Sequence, residues 1–320
     1  MVTEFEFINN IKSKYSLDKI GDDCAVLPKD AVTDLLLTTD MLVEDIDFRL
    51  EWTTPAFLGH KALAVSLSDI AAMGGTPVWA MLSIGVSEKL WKTDFLEKFY
   101  YGWHKLADEF DVELVGGDVS RSPDRLVIDS IVGGEVPKNT AILRSGAVVG
   151  DAVFVSGFIG GAAAGFLQLE SGQRFDLSVD APTKHVLFRQ LQPLPQIRTA
   201  KLLRTSRLAS AMIDISDGLS SDLNHLVTAS GVGCKIYLDR IPIDPAIAAI
   251  DLLHEERIDL AINGGEDFEL LLTVHQQNFS AVQDLGFHHI GEITANTGII
   301  ELSDDGKTTI LPPEGYRHFR

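Results

Sequence analysis

The 320 residues carry 46 acidic against 27 basic side chains, a formal net charge of −19, and 45% of them are hydrophobic. That is enough apolar material for one large or two medium domains, and two are expected. Nucleic-acid backbones call for basic surface, so the acidic balance argues against such a partner. Apolar runs such as residues 126–134 fall short of the roughly 20 residues a spanning helix needs, and no membrane segment is expected. The opening MVTEFEFINNIK is acidic where an export signal is basic, and Cys24 and Cys234 lie far apart outside any C-x-x-C spacing. A cytoplasmic protein without zinc or disulfide is the expectation.

In chain order, apolar runs predict strands over 35–38, 112–115, 126–132, 152–155, 212–215 and 270–274. Helical patterns lie between them, over 60–73, 93–110, 183–191, 197–204 and 278–285. The clearest helix has Leu219, Leu223, Leu226 and Val227 on one apolar stripe and ends at Gly231. The chain is therefore mixed α/β. From Gly133 to Gly150 it reads GGEVPKNTAILRSGAVVG, rich in glycine and broken by Pro137, as a connection between compact units does. The boundary is placed near residue 137, giving domains 1–137 and 138–320. No internal repeat or low-complexity tract interrupts them.

Six places share one grammar, in which an apolar element stops, small residues adjoin and carboxylates sit at the stop: Gly21-Asp22-Asp23, Thr38-Thr39-Asp40, Ser68-Asp69, Gly116-Gly117-Asp118, Asp214-Ile215-Ser216-Asp217-Gly218 and Gly264-Gly265-Glu266-Asp267. One such turn is ordinary loop chemistry. Several together suggest strand ends that converge on one crevice. Carboxylates gathered there repel one another unless a hard cation neutralises them, and Mg²⁺ favours carboxylates, retained waters and phosphate oxygens.

Asp69 lies in HKALAVSLSDIAAMGG, a helix apolar enough to be buried, where an unpaired carboxylate is costly. Its partner is Lys61, a distant arginine or a metal; Lys61, about two turns away along the helix, is the less favoured. After Asp214, Ser216 or Asp217 is the natural N-cap of the next helix, whose start also offers amides to a phosphate. The glycine-rich turn 157–165 reads either as a phosphate contact or as tight helix-to-strand packing. The G-x-x-x-x-G-K-[ST] and G-x-G-x-x-G motifs and the protein-kinase catalytic loop are absent.

The segments IGDDCAVL, LTTDMLVED, KALAVSLSDIAAMGGTP, LVGGDVSRS, LRSGAVVGD, MIDISDGLSSDL, NGGEDFELL and GYRHF resemble, in order and spacing and over nearly the whole chain, the thiamine-monophosphate kinase family of the aminoimidazole-ribonucleotide-synthetase-like superfamily. The resemblance implies an α/β (α+β) protein of two domains. The N-terminal mixed sheet pairs across a homodimer, and a C-terminal mixed sheet with flanking helices completes the active site. It implies transfer of the γ-phosphoryl group of ATP to thiamine monophosphate. Mg²⁺ ligands are implied at Asp22, Asp23, Thr38, Thr39, Asp40, Asp69, Asp118, Asp214 and Asp217. ATP contacts are implied at Tyr101, Gly117, Asp118, Arg144 and Ser216, and catalytic roles fall to Asp69, Asp118, Asp214 and Arg144.

Substrate contacts are implied at Glu266 and Phe319. Relatives carry a histidine in the stretch after TTD, where this chain reads Val43-Glu-Asp-Ile-Asp47-Phe, so Asp47 takes the substrate-facing position. The expected mechanism is direct in-line displacement, in which the ionised acceptor phosphate needs no strong base and the enzyme positions two anions that metal ions neutralise. Arg144 adds a planar cationic fork, Glu266 faces the cationic thiamine rings and Phe319 stacks on them. The alternatives are another ATP-dependent enzyme of the superfamily, of the aminoimidazole-ribonucleotide synthetase, selenophosphate synthetase or hydrogenase-maturation type, or a noncatalytic Mg²⁺–ATP-binding protein.

Overall fold

The computed structural model describes residues 4–176, 178–316 and 318. A first helix α1 (Glu4–Tyr15) leads into β1 (Ala25–Pro28), β2 (Thr33–Val43), α2 (Pro55–Ala72), β3 (Thr76–Val86), the short α3 (Glu88–Trp91), α4 (Phe95–Glu109), β4 (Glu113–Arg121) and β5 (Val127–Pro137). The strands form a five-stranded mixed sheet in the order β1-β2-β5-β3-β4, parallel only between β3 and β4. After the linking segment come β6 (Ala152–Val155), α5 (Gly161–Glu170), α6 (Ala181–Leu191), α7 (Ile197–Thr205), β7 (Ala211–Asp214), α8 (Leu219–Ser230), β8 (Gly233–Tyr237), α9 (His254–Asn263), β9 (Leu270–Val274), α10 (Phe279–Asp284), β10 (His288–Thr294), β11 (Ile300–Asp304) and β12 (Lys307–Ile310). These build a seven-stranded mixed sheet, β12-β11-β8-β10-β6-β9-β7.

The helix α2 joins the two halves. Thr54 caps it, accepting from the Phe57 amide at 3.2 Å, and Pro55 starts it, so it begins one and a half turns before the apolar pattern does. Nearly every side chain from Leu58 to Ala72 is buried. Its partner α4 lies against it at backbone contact, because a Cβ on Gly59 would stand 1.9 Å from the Phe99 carbonyl oxygen and one on Gly102 1.9 Å from that of Ala56. Only glycine permits that approach. Leu36, Leu63, Leu67, Ile70, Leu82 and Val132 then form one core with Phe154, Met212, Leu270 and Leu272 of the second sheet. The opposite face of the second sheet has its own core, where Leu219, Leu223, Leu226 and Val227 of α8 meet Val153, Ile213 and Leu271. These are the stripe residues expected from the sequence, and the helix closes at Gly231 in the left-handed region, φ 68°.

Candidate active site

Four elements bring carboxylates together beside the second half of α2. Asp23 comes from the loop before β1, Asp40 from within β2, Asp69 from α2 and Asp214 from the end of β7. One oxygen each of Asp23, Asp69 and Asp214 lies within 4.8 Å of the others. Hydroxyls fix two of them: Thr38 Oγ1 donates to Asp69 Oδ2, and Ser68 Oγ donates to Asp214 Oδ2 at 2.5 Å. Among the described residues the cation paired with the group is Arg144, from the segment between the sheets, which grips Asp23 with Nη2 at 2.8 Å and Nε at 3.3 Å. Asp40 Oδ2 is buried with no partner among the described residues.

Such a group cannot hold all its charges unaided. Burial first, then Asp129 and Asp23, raises the Asp40 carboxyl from 3.8 to about 6. Burial and Asp23 raise Asp214 to about 7, and burial with Asp40, Asp214 and Asp23 pushes Asp69 well above the usual carboxylate range. Burial works against the Arg144 charge, but Asp23, Asp214 and Asp69 more than offset it and hold the guanidinium protonated. A hard divalent cation fits this donor set: all oxygens, three converging and a fourth without a partner.

The expected convergence of strand ends holds for Asp214, at the end of β7, but not for Asp40 and Asp69. Asp40 sits inside an eleven-residue strand and Asp69 inside a helix, so the strand face and the helix face that meet each other carry the acids. Alternation along β2 therefore divides the expected ligands. Thr38 and Asp40 face α2, whereas Thr39 points to the other face, where its Oγ1 donates to Asp129 at 2.8 Å. In register with Met41, Asp129 and Ser83, Asp118 stands exposed on the edge strand β4, on that outer face. Asp22 accepts the Arg144 amide at 2.7 Å and so braces the arginine that holds Asp23. Tyr101 is 70% exposed on α4. Gly117 is required by β-sheet contact, since a Cβ there would meet the Leu82 carbonyl oxygen at 1.9 Å.

The turn after Asp214 also departs from expectation. The N-cap of α8 is Gly218, at φ 119°, and not Ser216 or Asp217. The amides of Ser216, Asp217 and Gly218 all donate to Asp222 Oδ2, at 3.1, 3.2 and 3.0 Å. Burial first, then Glu4, raises Asp217 to about 6. The glycine-rich turn before α5 is likewise filled from within, its Gly160 and Ala162 amides donating to Asp267 at 2.5 and 3.0 Å. Tight packing accounts for that turn: a Cβ on Gly157 would stand 2.7 Å from the Glu269 carboxylate. The cavity of about 500 Å³ beside it is lined by groups already paired with one another, Arg189 with Glu269 at 3.0 Å and His185 Nε2 with Asp244 Oδ2 at 2.8 Å.

Glu266 and Phe268 take left-handed backbone, φ 66° and 52°, in a turn bonded to the previous one through Glu266 N to Ser216 O and Phe268 N to Ile215 O, both at 2.8 Å. The C-terminal segment joins them where the Tyr316 amide donates to the Asp217 carbonyl at 2.9 Å. Lys61 reaches Glu266, at 2.6 Å, instead of Asp69, and Gln190 Nε2 donates to the same carboxylate. Asp47 closes its own turn by accepting the Val43 amide at 2.7 Å. Its carboxyl is raised by burial, and His318, Glu266 and Lys61 all lie near enough to act on it. Phe319 lies outside the described residues. Gln190 and Asp222 carry no expectation from the sequence, and Lys61, weighed there only as a partner for Asp69, pairs with Glu266 instead.

Two sheets, a bridging helix and a seam of buried carboxylates define the class. Residues 21–136 match the AIR synthase related protein, N-terminal domain family, and residues 148–302 match the corresponding C-terminal domain family. The thiamine-monophosphate kinase of Bacillus subtilis (strain 168) is 36% identical over 330 residues, covering 99% of each chain. That of Escherichia coli (strain K12) is 37% identical over 309 residues, covering 94% of this chain and 91% of its own. The solved structure described as AaThiL complexed with AMPPCP and TMP superposes with a TM-score of 0.88 at 32% identity, over 99% of this chain and 97% of that one. The chain belongs to the thiamine-monophosphate kinase family.

Proposed function

We propose that the chain transfers the γ-phosphoryl group of ATP to thiamine monophosphate, giving thiamine diphosphate and ADP, by direct in-line displacement that depends on Mg²⁺. The observation that carries the reading is the buried convergence of Asp23, Asp69 and Asp214 beside the unpartnered Asp40 oxygen, in a chain similar over its full length to a kinase complexed with AMPPCP and TMP. Asp23, Asp40, Asp69 and Asp214 are the residues that would hold Mg²⁺, with Asp22 and Asp217 at the margin. Bound there, the metal supplies the positive charge that lets two anionic substrates approach.

The chain's own residues do the rest. Arg144, locked to Asp23 and Asp22, offers a fixed guanidinium at the mouth of the seam. The exposed Tyr101, Gly117, Asp118 and Thr39 are assigned to the nucleotide and its ions, and Ser216 to the polyphosphate. At the acceptor end Lys61 already neutralises Glu266, so the negative charge that would suit a cationic thiamine ring falls to Asp47. Phe319 is assigned to stacking on that ring. The acceptor phosphate is ionised at neutral pH and needs no base, so the catalytic task is positioning.

A cytoplasmic homodimer accords with the reading: no helix among the described residues is long and apolar enough to cross a membrane, and the edge strand β4 and its sheet leave Met41, Val78, Val115 and Val119 exposed. Light scattering on a sizing column should give twice the chain mass, and a monomer would remove the dimer from the account. For the reaction, the protein is incubated with ATP, Mg²⁺ and either thiamine monophosphate or thiamine. Thiamine diphosphate from the monophosphate is expected, and no product at any Mg²⁺ concentration would refute the proposal.

A further inference from the structure

The turn from Asp214 to Gly218 carries three of the residues assigned above; the carbonyls of Ile215, Ser216 and Asp217 are bonded to the Phe268, Glu266 and Tyr316 amides, but its own amides from Ser216 to Gly218 have no carbonyl partner in a turn or loop among the described residues. It spans the gap between β7 and α8, it contains a glycine at φ 119°, and its N-cap has no side chain to accept a hydrogen bond. Asp222, only 2% exposed, supplies the missing acceptor from one turn inside α8. Its Oδ2 gathers the Ser216, Asp217 and Gly218 amides at 3.0–3.2 Å. These are the amides of the turn itself and of the N-cap residue, donors that would otherwise lack an acceptor within the chain.

We propose that Asp222 is a positioning residue for the metal-binding turn: by filling those amides with a carboxylate of the chain, it fixes the backbone that aims Asp214 and Asp217. The turn between β6 and α5 is fixed in the same way, by Asp267 accepting from the Gly160 and Ala162 amides. The inference rests on the metal-dependent reading of the seam and is independent of which molecule accepts the phosphoryl group.

The test is Mn²⁺ binding to nucleotide-free protein, read by electron paramagnetic resonance, with hydrogen exchange of residues 216–218 measured in parallel. Asp222→Ala should bind Mn²⁺ roughly 10- to 100-fold more weakly, as loss of a group that orients metal ligands does, and its turn amides should exchange faster. Asp222→Asn, which keeps a carbonyl oxygen at the same place, should recover most of the affinity. A folded Asp222→Ala with wild-type Mn²⁺ affinity would overturn the proposal, as would an Asn variant no better than Ala. If Asp222→Ala does not fold, Asp222→Ser takes its place with the same outcomes. Failure of the wild type to bind Mn²⁺ would remove the metal reading itself, whereas failure to phosphorylate thiamine monophosphate would leave this inference standing.

Discussion

Asp214→Asn should stabilise the metal-free protein at alkaline pH while abolishing phosphoryl transfer. Asp214 is 2% exposed and shares its surroundings with Asp23 and Asp69. Burial, then Asp23, raises its carboxyl from 3.8 to about 7. A carboxyl raised on folding binds its proton more tightly in the folded state. The stability this gives is complete below about pH 3.8 and is lost as pH rises through about 7. At roughly 1.4 kcal/mol per pH unit the whole rise is worth roughly 4 kcal/mol, and because neighbouring acids share the same protons we assign about 2–4 kcal/mol to this side chain. Asparagine keeps an acceptor for Ser68 and carries none of the pH-dependent loss. Urea denaturation in EDTA should therefore find the variant more stable than wild type by about that amount at pH 8, with most of the gap closed by pH 5. Mg²⁺ at a thousand times its Kd should close or reverse the gap, since it adds about 4.1 kcal/mol to a protein that binds it and less to one that does not. A variant no more stable than wild type at pH 8 in EDTA would show that the seam stores no charge repulsion for a metal to relieve.

Lys61→Met leaves Glu266, whose side chain is 31% exposed, without its cation. Urea denaturation should show a loss of about 2–3 kcal/mol, less than for a fully buried pair, and steady-state kinetics should show a changed KM for the acceptor with that for ATP nearly unchanged. Gly59→Ala drives a methyl group into the Phe99 carbonyl and should lower stability by about 2–3 kcal/mol or more, read as a fall in Tm. Arg144→Lys keeps the charge but not the two-pronged grip on Asp23, and should cost roughly 10- to 100-fold in kcat/KM in a protein that remains folded by circular dichroism.

The parts of the fold legible beforehand were those buried on both sides. Residues 152–155 and 270–274 are continuous apolar runs because both faces of that sheet are covered, and they are the strands β6 and β9. By contrast β3, which reads TPVWAMLSIGV, went unread because Pro77, Ser83 and Gly85 break its apolar run. The hairpin β11–β12 is polar and exposed and offers no apolar signal. Which acids cluster was only partly legible. Composition and spacing drew attention to Asp69 and Asp214, but only the pairing register shows Thr39 and Asp118 on the face away from Asp40. The ion pair of Lys61 with Glu266 joins distant parts of the chain, so no local pattern announces it.

The central claim is that the converging carboxylates of Asp23, Asp69 and Asp214 carry the metal on which transfer depends. Rapid-quench single-turnover transfer from γ-labelled ATP to thiamine monophosphate, titrated with Mg²⁺, tests it most directly when wild type and Asp69→Asn are compared. The account predicts label in thiamine diphosphate with no labelled protein, and an Asp69→Asn rate at least roughly 100-fold lower at limiting Mg²⁺. Near wild-type transfer by Asp69→Asn at limiting Mg²⁺, or label trapped on the protein, would contradict it.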